Sequence, residues 1–101
     1  MNYVSRLYEL GALPVIRPGT TQKMTVGSSS TQSAAVNGTV ARLVATADCH
    51  IAFGPSPVAD TTCLFLPANT PEYFACYGTD LVAVISDSSG GSLYITPAVE
   101  A

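Results

Sequence analysis

Chain punctuation constrains this protein more than any other feature. After residue 20, residues that turn or break a chain recur at short intervals: Asn37-Gly38, "GPSP" at 54–57, "NTP" at 69–71, "GTD" at 78–80 and "DSSGG" at 87–91. The apolar runs between them, such as "CLFLPA", "EYFACY", "LVAVIS" and "SLYIT", are strand-length. An amphipathic helix needs at least about 10 residues with apolar positions recurring three and four apart, and no segment after residue 20 offers both. About 7–8 short strands separated by turn signals is the signature of an all-β sandwich or barrel. The expected fold is therefore a compact antiparallel sandwich, jelly-roll or Greek-key like. Strand order is not written in local pattern, so jelly-roll, Greek-key and immunoglobulin-like arrangements stay open at this point.

Residues 1–20 differ in kind from residues 21–101. Tyr3, Leu7 and Leu10 are spaced for one helical face, and Gly11 can end such a turn. Pro14 and Pro18 lack a donor and push their predecessors into extended backbone, so no single helix spans the segment. The expectation is an N-terminal arm over 1–20 and one sandwich domain over 21–101. Tyr3, Leu7, Tyr8, Leu10, Val15, Ile16 and Arg17 are its candidate partner-binding residues, because so apolar a segment needs a surface to cover it.

Asn37-Gly38 is the strongest local signal. Both residues tolerate positive φ, which a two-residue type I′ hairpin turn requires, and Val36 and Val40 flank it as strand residues. "LVAVIS" has no polar alternation, the pattern of a strand covered on both faces or central to a sandwich.

The residues with most chemical promise lie in "ATADCHIAFG", where Asp48, Cys49 and the single histidine, His50, are adjacent. Side chains alternate faces along a strand. Cys49, Ile51 and Phe53 then face the core, while Asp48, His50 and Ala52 face outward. A thiol pointing away from its neighbouring imidazole makes a poor nucleophile–base pair. An outward Asp48–His50 pair is more often structural than catalytic, and truncating an exposed His50 would cost within about 1 kcal/mol. Zinc sites want three or four ligands with close-spaced pairs, and one histidine with three dispersed cysteines does not supply them. No GxSxG, phosphate-binding glycine loop or HExxH is present. Asp80 and Asp87 bracket "LVAVIS", where carboxylates are ordinarily solvated. The expectation is no catalytic residue, no metal and no cofactor.

Charge narrows the partner classes. Only 11% of residues are charged against 48% hydrophobic, where average domains carry roughly 25% charged residues. The net charge is −3 and the four cations, Arg6, Arg17, Lys23 and Arg42, are scattered. Nucleic-acid binding needs a basic face that displaces counterions, so that class is excluded from the expectation. No run is long enough to span a bilayer, and no segment reads as a signal peptide. Three cysteines cannot all pair within one chain, and buried free thiols in a reducing compartment are the simplest reading. So little charge suits a secreted protein or a surface largely covered by partner subunits. Tyr73, Phe74, Tyr77, Phe65 and Tyr94 leave open a second class, a glycan-binding β-sandwich with an aromatic platform.

Over residues 40–97 the run of "ATADCHIAFG", a proline-rich loop, "LFLPANTPEYF", "LVAVIS" and "GSLYIT" resembles the small β-sandwich virion proteins of tailed bacteriophages. The resemblance implies a non-enzymatic structural protein, most often a capsid cement or decoration protein that binds and stabilises the assembled head. The implied partners are the major capsid protein or other virion subunits, together with further copies of the chain, a trimer being the first expectation. The implied location is the capsid surface of a particle assembled in bacterial cytoplasm. Tail, neck or fibre-associated subunits are the alternatives within that class. No active-site motif comes with the resemblance.

Overall fold

The computed structural model describes residues 15–100 of the chain. Among them are nine strands and no helix: β1 (Ile16–Pro18), β2 (Gln22–Val26), β3 (Thr31–Gln32), β4 (Val40–Ala45), β5 (Cys49–Gly54), β6 (Leu64–Leu66), β7 (Glu72–Ala75), β8 (Leu81–Ser86) and β9 (Gly91–Glu100). They form two antiparallel sheets. One runs β1-β9-β4-β7, with β2 also paired to β9, and the other runs β3-β8-β5-β6. The all-β sandwich expected from the punctuation is the fold observed.

The topology is a nest of hairpins. β5 pairs with β6, β4 with β7, β3 with β8 and β2 with β9. Successive pairs alternate between sheets, so one long hairpin is wrapped around the core. That strand order is the jelly roll, the eight-stranded double-Greek-key form of the sandwich. β1 is an addition to it, continuing the β2 edge along the second half of β9, with Arg17 opposite Val99.

Alternation explains the core. In β4, Ala41, Leu43 and Ala45 are fully buried while Val40, Arg42 and Val44 are only partly so. β9 contributes Leu93 and Ile95, β8 Val82 and Val84, and β5 Cys49 and Ile51, with Phe53 packed against the cluster. Cys49, Ile51 and Phe53 do share the core face. The unbroken run in "LVAVIS" belongs to a central strand: β8 lies between β3 and β5, and Ala83 is as buried on the outer face as Val82 and Val84 are on the inner one. Ser33 extends this pairing beyond β3. Its amide donates to the Val82 carbonyl at 2.8 Å, and its hydroxyl accepts from the Val82 amide at 2.9 Å.

Asn37-Gly38 is not a hairpin turn. Neither residue has positive φ, and the segment carries the chain from β3 in one sheet to β4 in the other. Glycine is needed there for space. A Cβ on Gly38 would stand 2.6 Å from the Ala98 carbonyl oxygen and 3.0 Å from its nitrogen. The left-handed positions are Asn69 (φ 59°) and Gly78 (φ 53°), in the connections before and after β7.

Of the proposed arm, Ile16 and Arg17 pair with β9 of the same chain, and Val15 precedes that strand as an exposed residue. Tyr3, Leu7, Tyr8 and Leu10 lie outside the described residues.

Candidate functional site

The most organised polar cluster sits on the outer face of the β3-β8-β5-β6 sheet, around His50. Parity places His50 on that face, as alternation requires, but it is not solvated: its exposure is 7%. Two segments cover it. The β5–β6 connection crosses the sheet toward β3, where Gln32 donates to the Pro57 carbonyl at 2.8 Å and Ser30 accepts from the Ala59 amide at 2.9 Å. Pro57 and Ala59 are buried by this crossing. The chain then returns to β6, whose Phe65 lies opposite His50 with ring centroids 5.4 Å apart. The expectation of an exposed His50 fails because a loop, invisible to strand periodicity, roofs the face.

Both ring nitrogens of His50 are engaged. Nδ1 lies 3.1 Å from the Cys63 carbonyl oxygen, and Nε2 lies 2.8 Å from Oδ1 of Asp87. A carbonyl and a carboxylate are both acceptors, whereas neutral imidazole has one N–H to donate. The geometry therefore favours imidazolium, which donates at both nitrogens. The pKa of His50 is raised accordingly, first by the Asp87 bond and next by the Cys63 carbonyl, with burial opposing. Asp87 is accordingly not a free solvated cap, because it forms an ion pair across the sheet. The register explains the meeting: His50 lies opposite Ile85, so Asp87, two residues further on, is its diagonal neighbour on the same face, and the ladder continues with the Asp87 amide donating to the Asp48 carbonyl at 3.1 Å. The Asp48 carboxylate turns elsewhere, accepting from the Ala68 amide at 2.8 Å. The adjacent trio thus separates into a buried thiol, a cap and a clamp.

Chemically the cluster is a fastener. The hydrogen-bond partners of the imidazole are a backbone carbonyl and a carboxylate, with no hydroxyl or thiol between them to activate. The Cys49 thiol faces the core, and burial and then Asp48 push its pKa up to about 11. Burial likewise raises Cys76, with Asp80 adding to it. Cys63 is half-buried and leans on Asp60, its sulfur 3.6 Å from Oδ1. That carboxylate is held below its ordinary range by the hydroxyl and amide of Thr62. Among the described residues no three His, Cys, Asp or Glu side chains converge as metal ligands.

The aromatic residues do not make one platform. Phe74 packs inward on Phe53 at 5.4 Å, Phe65 covers His50 on one sheet, and Tyr94 lies on the other beneath the Lys23 ammonium, 5.8 Å from its ring centroid. Tyr73 and Tyr77 remain exposed at β7 and just after it. No helix among the described residues is long and apolar enough to cross a membrane. Compared with protein-family models, curated proteins and solved structures, the chain matches none of them.

Proposed function

We propose that this protein is a non-enzymatic virion subunit, a capsid cement or decoration protein that binds the assembled head and reinforces contacts between capsomers. The observation that carries the reading is the strand order, a jelly roll of about 80 residues, an architecture that also builds viral capsid domains. The support is analogy at the level of fold, to be weighed with the site itself. The site is compatible with it. The single histidine is spent on fastening a loop, and the two most buried thiols are held protonated by burial, so the clearest polar chemistry serves the scaffold.

Adhesion needs no reacting group. A subunit that binds only the assembled lattice stabilises it by mass action, and several copies across one boundary gain by effective concentration. The test is cosedimentation of the full chain with empty phage heads. Saturable, stoichiometric binding to heads, with none to unassembled capsid protein, is expected. Binding to purified tails alone would move the protein to the tail or neck. A melting shift with oligosaccharides and no binding to any particle would replace the proposal with the glycan-binding reading.

A further inference from the structure

The outer face of the larger sheet carries one arrangement twice. Arg42 on β4 lies directly opposite Tyr73 on β7, and Lys23 on β2 lies directly opposite Tyr94 on β9. All four share a face. Arg42 aligns with Thr96 and Val44 with Tyr94, while the alternate residues Ala41, Leu43, Leu93 and Ile95 fill the core. Each unit is therefore a tyrosine ring beside a cation, and in the second the Lys23 ammonium stands 5.8 Å from the Tyr94 ring centroid. The two units are displaced by two strands and one row of side chains, which amounts to about 12 Å.

The chain has a net charge of −3, yet this face is basic. From the row of Ser92 to the row of Ala98 none of its outward positions is acidic. Glu72 has the opposite parity, in register with the buried Leu43, and Asp48, Asp60, Asp80 and Asp87 lie outside the strands of this sheet. Among the described residues neither Arg42 nor Lys23 forms an ion pair. Between the two units lie Val44 and Thr96, and the Thr96 hydroxyl is 2.8 Å from that of Thr21. Tyr73 and Lys23 are exposed and Arg42 and Tyr94 half-buried, so the groups are within reach of a ligand.

The position within the sheet limits what binds there. β4 and β9 are paired on both sides, so an extended peptide finds no free backbone groups and gains nothing by strand addition. Recognition falls to side chains: rings that take the apolar faces of sugars, cations that attract carboxylates, and hydroxyls. The repeat matches a chain with one anion in every two sugars, since two rings of an extended polysaccharide span a comparable length. We propose that this face binds a linear acidic polysaccharide, laid diagonally across β7, β4, β9 and β2. One carboxylate meets Arg42 and the next meets Lys23, while sugars stack on Tyr73 and Tyr94. Lys23 reaches its carboxylate by swinging its flexible stem off the Tyr94 ring. The inference does not rest on the virion reading, since it concerns the isolated protein and a saccharide, and the two experiments fail separately.

The test is a heteronuclear NMR titration of the full chain with a hyaluronan octasaccharide, whose β-linked chain carries one carboxylate in every second sugar. Saturable shifts centred on the amides of Arg42, Val44, Tyr94 and Thr96 are expected, with an affinity that falls as salt is raised. Arg42→Gln and Tyr73→Ser should each weaken binding by about tenfold or more while the rest of the spectrum stays that of the folded protein. Tyr73 is exposed on an edge strand, so its replacement leaves the core untouched. No saturable shift, shifts centred on the β3-β8-β5-β6 sheet, an equal response to neutral cellohexaose, an equal response to polyglutamate, or variants that bind like wild type would each overturn the inference.

Discussion

Replacing His50 with alanine removes three contacts at once. The hydrogen bond to the Cys63 carbonyl, made in a buried setting, is worth about 1 kcal/mol. The bond to Asp87 is charge-assisted, but that carboxylate is 43% exposed, so solvent screening holds it to about 0.5–1 kcal/mol. The ring contact with Phe65 adds about 0.5–1 kcal/mol. Together they predict a loss of about 2–3 kcal/mol, which for a domain near 100 residues lowers the melting temperature by about 10–20 °C. The pH dependence is a sharper check. Because the folded pKa of His50 is raised above its ordinary 6.5, its stabilisation is complete below pH 6.5 and fades as pH rises through the folded value. Thermal melts of wild type and His50→Ala from pH 6 to pH 9 should show a gap that is widest at the acid end and narrows with pH. Groups other than His50 titrate in both proteins, so the gap isolates the clamp. A variant within about 0.5 kcal/mol of wild type at pH 6, or a gap constant with pH, would refute the doubly donating imidazolium.

Gly38→Ala should destabilise by about 1–3 kcal/mol in urea denaturation, because its Cβ meets the backbone of Ala98 and no flexible side chain can yield; an unchanged midpoint would show that the β3–β4 crossover shifts freely. In native protein a thiol reagent should modify Cys63 first, with Cys49 and Cys76 reacting only on unfolding to give three equivalents. Mass spectrometry of the labelled peptides reads the order, and early labelling of Cys49 would contradict its place in the core.

What could be read in the sequence was what depends on near neighbours. Alternation placed Cys49, Ile51 and Phe53 on the core face, and the unbroken "LVAVIS" marked a central strand. Pairing across the fold could not be read. Asp87 joins His50 because β5 and β8 are neighbours in a particular register, and no local pattern encodes either. Asn37-Gly38 misled for a related reason. Two residues that permit a tight turn do not require one, and here a distant strand, β9, dictated the glycine by its closeness. The roof over His50 had one visible trace. "GPSPVADTTC" is long for a connection between paired strands, and a long connection must lie on something. Its buried Pro57 and Ala59 were the residues to suspect.

The nested hairpins have a consequence for how the molecule assembles itself in time. β9, the hub of its sheet, is synthesised after all the strands it joins, so β1, β2 and β4 must wait without their main partner. Closing β2 on β9 directly would bring Gln22 to Ile95 across most of the domain. If the pairs form from the inside outward, each closure shortens the loop left for the next, and the entropic cost of each step stays small. The innermost pair is β5 with β6, the hairpin that His50 fastens through the Cys63 carbonyl. Pulse-labelled hydrogen exchange during refolding should accordingly protect Ile51 before Leu93, and the reverse order would place the nucleus at the hub. On this view the clamp matters earliest, as the stitch from which the rest is drawn closed.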